Sequence, residues 1–135
     1  MDKVIDAARN LGKVLQADER YVRYVTAQKL NNEDENLQKM VENFNMMRVD
    51  LNTEISKADK DQEKITKLDA DLKLVYRDIF ANPNMLEFTD ARNDMEALMG
   101  FVNQIVTGSS SGENPETIEY QASCGGSCAS CAGCA

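Results

Sequence analysis

Apolar residues return at three- and four-residue steps through residues 2–107, the period of an amphipathic helix. Val4, Ala8, Leu11 and Leu15 set the first run, over about residues 2–17. Asp18 is placed to cap a second helix, with Tyr21, Val22, Tyr24 and Val25 early in it. NNEDEN at 31–36 reads as a break and a restart. Asn32 suits the N-cap there, and the acids after it suit the positive end of a helix dipole.

Leu37, Met40, Phe44, Met47, Leu51, Ile55 and Ala58 form the next stripe, and Ile65, Leu68, Leu72, Val75 and Ile79 resume it. Between them, KADKD at 57–61 lacks apolar weight but also lacks Gly and Pro. A tight turn and a helical continuation both remain open. Each stripe spans a helix of about 30 Å. An antiparallel hairpin would let the two stripes cover each other, whereas a continuous rod would leave both needing another chain. ANPN at 81–84 is the clearest punctuation. Pro83 suits the first position of a helix and pushes Asn82 out of the helical region, so Asn82 is the expected cap. The last stripe runs through Phe88, Ala91, Met95, Leu98, Val102 and Ile105, and Gly108 fits its C-terminal stop. The polar SSSGENPE that follows has no periodicity and reads as a linker. The expected architecture is all-α: an antiparallel bundle of four to five helices with a long hairpin over 1–107, a flexible linker over 108–123, and a disordered cysteine-rich tail over 124–135.

Composition narrows the function classes. The net charge is −8 and no Lys or Arg follows Arg92, which argues against binding a nucleic-acid backbone. There is no histidine, so the commonest general base and zinc ligand is absent. The N-terminus lacks the apolar core of a signal peptide, and no window reaches the length of a membrane span. The expected location is the cytoplasm, without membrane insertion. Carboxylates are plentiful but none sits in a recognisable catalytic context, so a non-enzymatic role is expected.

Within the body, Met40, Met46, Met47, Met85, Met95 and Met99 fall mostly on or beside the apolar stripes and read as core, with a partner groove where Met46 and Met47 widen the stripe. Tyr21, Tyr24 and Tyr76 fit either an interface or a core edge. Gly12 and Gly100 lie inside helical patterns, where close helix–helix approach is the simplest reason for a residue costing about 1 kcal/mol relative to Ala. Glu33, Asp34 and Glu35 read as a solvated helix start.

All four cysteines stand in the last twelve residues, CGGSCASCAGCA, as Cys124, Cys128, Cys131 and Cys134. The spacing is C-x3-C-x2-C-x2-C, the gaps of a ferredoxin run in reverse order. Short gaps let neighbouring thiolates reach adjacent corners of one small cluster, and Gly, Ser and Ala between them impose little bulk. An iron–sulfur cluster of the 4Fe–4S type is the first expectation for these four ligands. Zinc is the second, because structural zinc sites usually join two short pairs through a longer spacer. Disulfides fit the even count but not the expected compartment. Plain solvent-exposed thiols are the bland alternative.

The chain resembles the YlbF/YmcA family of small helical bacterial proteins. The resemblance rests on the opening amphipathic helix, on ERYVRYVTAQKLNNEDENLQKMVENFNMM, on ANPNMLEFTDARNDMEALMGFVNQIV, and on the terminal cysteine cluster. It implies an all-helical protein that self-associates or joins relatives. The best-known members act in a complex with a third protein, YaaT; that complex carries iron–sulfur clusters and supports competence, biofilm formation and sporulation. It also adjusts RNA processing by the membrane-associated ribonuclease Y. Carried onto this chain, the cluster ligands would be Cys124, Cys128, Cys131 and Cys134. The leading expectation is a regulatory adaptor assembled through its helical body. The alternatives are a structural helical oligomerisation scaffold with a zinc-binding or merely thiol-rich tail, and a precursor whose tail is enzymatically modified.

Overall fold

The computed structural model describes residues 1–122. They hold five α-helices and no strand: α1 (Lys3–Ala17), α2 (Glu19–Glu33), α3 (Glu35–Ser56), α4 (Gln62–Ala81) and α5 (Pro83–Ser110). The all-α expectation is met. Packing divides the chain after Ala91, inside α5, into two compact units.

Every helix starts on a carboxylate or amide side chain that satisfies otherwise unpaired N–H groups. Asp2 accepts from the N–H of Val4 and Ile5 at 3.0 and 3.3 Å. Asp18 accepts from Arg20 N–H at 2.9 Å, and Asp61 from Glu63 and Lys64 at 3.1 and 3.2 Å. Asn82 Oδ1 accepts from Asn84 and Met85 at 2.8 and 3.2 Å. Asp18 and Asp34 each serve as the end of one helix and the cap of the next, so single extended residues separate α1 from α2 and α2 from α3. Asn82 does the same between α4 and α5.

The expected cap Asn32 is overturned. α2 continues through it to Glu33, and Asp34 takes the role, accepting from Leu37 N–H at 3.0 Å. Nothing in Asn31–Asn32–Glu33 interrupts a helix, whereas Asp34 is extended, with ψ near 95°.

In the first unit, α3 and α4 form an antiparallel hairpin, and residues 57–61 are a turn. The register is read from pairs along its length. Glu54 meets Lys64, the Phe44 and Tyr76 rings lie 6.0 Å apart, and Asp34 meets Asn82. Leu37 is fully buried, and Ala27, Ile79 and Ala91 are close to it in burial. Burying one Leu stabilises by about 1.5–3 kcal/mol relative to leaving it exposed. Most other stripe residues of α3 and α4, Phe44, Leu51, Leu68 and Leu72 among them, are half-buried.

In the second unit the helix stop differs from expectation. Gly108 stays inside α5, which runs to Ser110. Gly112 takes the left-handed conformation, φ +92°, which a side chain would disfavour. Glu113 N–H bonds to Gly108 O at 3.0 Å and Gly112 N–H to Ser109 O at 3.1 Å, the paired bonds of a Schellman stop. Residues 113–122 then carry no regular helix or strand. They turn back onto α5: Gln121 bonds to the Gln104 side chain, and the Tyr120 and Phe101 rings meet edge to face at 5.9 Å.

Candidate functional site

The expected ligand set, Cys124, Cys128, Cys131 and Cys134, lies outside the described residues. Among the described residues no group of three or more His, Cys, Asp or Glu could hold a metal ion. The donor chemistry of the four cysteines, thiols at short gaps in the sequence, is of the kind that takes a thiolate-held cluster or zinc.

The body carries two kinds of feature that bear on function. The first is polar and internal. Glu54 is the one charged residue buried among the described residues, at 3% exposure. Its Oε2 takes Lys57 Nζ at 2.8 Å and Lys64 Nζ at 3.4 Å, and its Oε1 accepts from Asp61 N–H at 3.1 Å. These contacts close the turn between α3 and α4. The Lys57 hydrogen bond, helped by the Asp61 N–H and opposed by burial, holds the Glu54 carboxyl down to about 2.

Asp34 closes the other end of the same hairpin. Its Oδ2 accepts from Asn82 Nδ2 at 3.2 Å and Asn84 Nδ2 at 2.9 Å while its Oδ1 caps α3. The Leu37 N–H, then Asn84 and Asn82, hold its carboxyl below the usual range. The solvated reading of the acidic cluster is thus corrected for Asp34, whose partners arrive from the α4–α5 junction. Nearby, Gln38 Nε2 donates to Asn31 O at 2.8 Å, and Arg23 pairs with Glu87 at 2.6 Å. Tyr24 stacks on Phe88 at 5.8 Å. Each perturbed carboxylate is engaged in capping or pairing, so these groups hold helices together; none is poised as an acid or base in a cleft.

The second feature is apolar and open. α1 buries no residue, although its apolar positions fall on one face. Val4 is 76% exposed, Val14 58% and Ile5 47%, and only Leu11, Gly12 and Leu15 are partly covered. On α3, the side turned away from the hairpin carries a shallow groove of about 690 Å³ lined by Val41, Met46 and Val49 with Gln38, Glu42, Asn45 and Asp50. Met46 is 62% exposed there while Met47 is half-buried, so the two adjacent methionines face different surroundings. Exposed apolar faces of this kind mark association surfaces.

Residues 4–109 match the family model described as control of competence regulator ComK, YlbF/YmcA. The chain belongs to the YlbF/YmcA family. The match covers all five helices almost completely and stops before the cysteines. No curated protein and no solved structure matches the chain. Membership supports a role as a regulator of competence and development through protein–protein complexes, and it agrees with the resemblance read from the sequence. No helix among the described residues is long and apolar enough to cross a membrane.

Sequence reasoning found the α3 and α4 stripes and the caps Asp18 and Asn82. It missed Glu54, whose signal was present: an acid on the stripe side of α3 with lysines at 57 and 64 able to reach it. It also missed Gln104, because a lone amide on a helix carries no pattern until residues 118–121 are seen beside it.

Proposed function

We propose that this YlbF/YmcA-family chain is a non-enzymatic regulatory adaptor whose helical body assembles with a second copy or with related chains, and whose tail carries an iron–sulfur cluster on Cys124, Cys128, Cys131 and Cys134. The observation that carries the assembly reading is α1: an amphipathic helix with no buried residue, in a family that works through complexes. Its apolar face is covered only when another chain supplies the missing half.

The cluster reading is supported by the donor chemistry of the tail and by the family resemblance. When bound, such a group supplies reversible one-electron chemistry, which suits a sensor. The chain's own part is to hold thiolates at short spacing with small residues between them, leaving backbone N–H groups free to turn toward sulfur. The resemblance further points to a YaaT-like partner and to ribonuclease Y-dependent RNA processing as the output, in the cytoplasm. Binding of nucleic acid by this chain itself is not part of the proposal, given the charge of −8.

Anaerobic co-purification of the tagged full chain from its native host tests both parts together. The expected product is brown, contains iron and sulfide, and carries relatives of the same helical family. Changing Cys128 and Cys131 to Ser should remove the visible absorption and leave helicity unchanged. A colourless protein with stoichiometric zinc would replace the cluster with the second choice. A chain that purifies alone, with neither copy nor partner, would remove the adaptor reading.

A further inference from the structure

Two apolar faces of the first unit are left open, one on α1 and one on α3, and they differ in charge. On α1, Val4 and Ala8 define a line along the helix, with Ile5 and Gly12 beside it. Val4 is 76% exposed and Ile5 47%. Lys3 and Arg9 stand about 120° to either side of that line, and Asp6 lies behind it. The flanks of this face are therefore cationic. The α3 groove lined by Val41, Met46 and Val49 carries Glu42 and Asp50 and no Lys or Arg. Among the described residues, Lys3, Arg9, Glu42 and Asp50 make no ion pair. The groove runs from Gln38 to Asp50, about 18 Å, against about 22 Å for α1. Shape agrees as well. Met46 stands out at 62% exposure, and its side chain is long and adaptable. Ala8 and Gly12, four residues apart, leave a shallow strip on α1 that such a side chain can enter. The close-helix expectation for Gly12 is unmet within the chain, where a Cβ would meet nothing within 4 Å. For Gly100 it is corrected, since the neighbour there is the Tyr120 ring, 3.7 Å from a built Cβ.

We infer that α1 of a second copy seats in the α3 groove, with Met46 against the Ala8–Gly12 strip and Lys3 and Arg9 toward Glu42 and Asp50, and that two chains exchange α1 reciprocally. This rests on the reading of the body as an assembly module, and it names the surface that receives α1. Within one chain α1 packs against α2, and the α3 groove stays open. Each chain carries both halves, so a second copy supplies each with its complement. Opposite charges across the contact set its register and reject wrong partners. Size decides for exchange in both directions. α1 is about 22 Å long and about 10 Å across, so one seated helix falls short of the roughly 800 Å² that each partner buries in a standard interface. Reciprocal exchange doubles the contact and closes the assembly at two chains, whereas a one-way contact would propagate.

The test is charge exchange, read by sedimentation velocity on the full reduced chain at micromolar concentration. One variant carries Lys3→Glu and Arg9→Glu, the other Glu42→Lys and Asp50→Lys; all four positions are exposed, so the fold is left intact. The wild type should sediment as two chains. Each variant alone should bind itself at least about tenfold more weakly, because like charges meet at both contacts. Mixed one to one, the two should regain the wild-type dimer, since every acidic α1 then faces a cationic groove and every cationic α1 an acidic one. Recovery on mixing also shows that both variants are folded. Met46→Ser, a milder change in the same groove, should weaken the dimer in the same direction. A variant of either face that dimerises as the wild type does, or a mixture as weak as its components, overturns the groove as the seat of α1 and leaves the assembly reading standing. An open ladder of sizes in the wild type overturns reciprocal exchange. A wild type that sediments as one chain overturns the second copy as occupant, and the adaptor reading is then decided by the relatives that co-purify with the chain.

Discussion

The α3–α4 hairpin and α1 are written in the same hydrophobic code and meet opposite fates. Both carry apolar residues at three- and four-residue steps. In the hairpin the stripes face each other, Leu37 is fully buried, and carboxylates close both ends, Glu54 at the turn and Asp34 at the open end. In α1 the same kind of face buries nothing. Periodicity therefore reports that a face wants cover, and connectivity decides whether the cover comes from within the chain. A five-residue turn lets α4 fold back on α3, whereas the one-residue junction at Asp18 leaves the N-terminal half of α1 open.

The contrast can be broken most forcefully at matched apolar positions. Leu37→Ala should cost about 2–5 kcal/mol, because it removes packed atoms from a closed site. Val4→Ala should change the stability of the unassembled chain by no more than about 0.5 kcal/mol. Urea denaturation of dilute samples measures both; equal losses would mean that α1 is as covered as the hairpin. Next in size is Asn82→Ala, which removes the cap of α5 and one bond to Asp34 and should cost about 0.5–2 kcal/mol. Asn84→Ala removes only the Nδ2 bond to Asp34, and its loss should be near the lower figure, about 0.5–1.5 kcal/mol.

Acid sharpens the same comparison. Glu54 is held down to about 2 from an ordinary 4.5, so it binds a proton less readily folded than unfolded. Its contribution is complete above about pH 4.5 and is lost as pH falls toward about 2. Asp34, also lowered, acts in the same sense. The hairpin should therefore loosen on acidification, and Glu54→Gln should flatten the acid limb of stability against pH while lowering stability at neutrality. α1 carries an aspartate cap, Asp2, but no such internal clamp. Circular dichroism melts across pH 2–7 would show whether the wild-type slope survives in Glu54→Gln, which would refute the role given to this carboxylate.

The helices were legible because each starts on a short polar side chain and keeps a clean period. Asp18, Asn82 and the α3 and α4 stripes needed no tertiary information. The choice between turn and rod at residues 57–61 was left open, because Glu54 gathers Lys57, the Asp61 N–H and Lys64 only once the chain has reversed, and residue spacing alone fits a rod as well. Asn32 lost to Asp34 for a related reason: both residue types cap well, and the contacts to Asn82 and Asn84 favour the later one. Gly108 looked like a stop because glycine ends helices, yet Gly112 makes the stop and Gly108 makes room for Ile118. The four cysteines are read from spacing alone and lie outside the described residues; the pairing of Gln104 with Gln121 was not legible, since the two meet only through the reversal at Gly112.

The most direct test of α1 as an assembly surface is sedimentation velocity at micromolar concentration, comparing wild type with the Val4→Asp, Ile5→Asp double variant. The predicted result is a wild-type species larger than one chain and a variant that sediments as a single chain with its helical content intact. A wild type that sediments as one chain, or a variant that assembles as the wild type does, would contradict it.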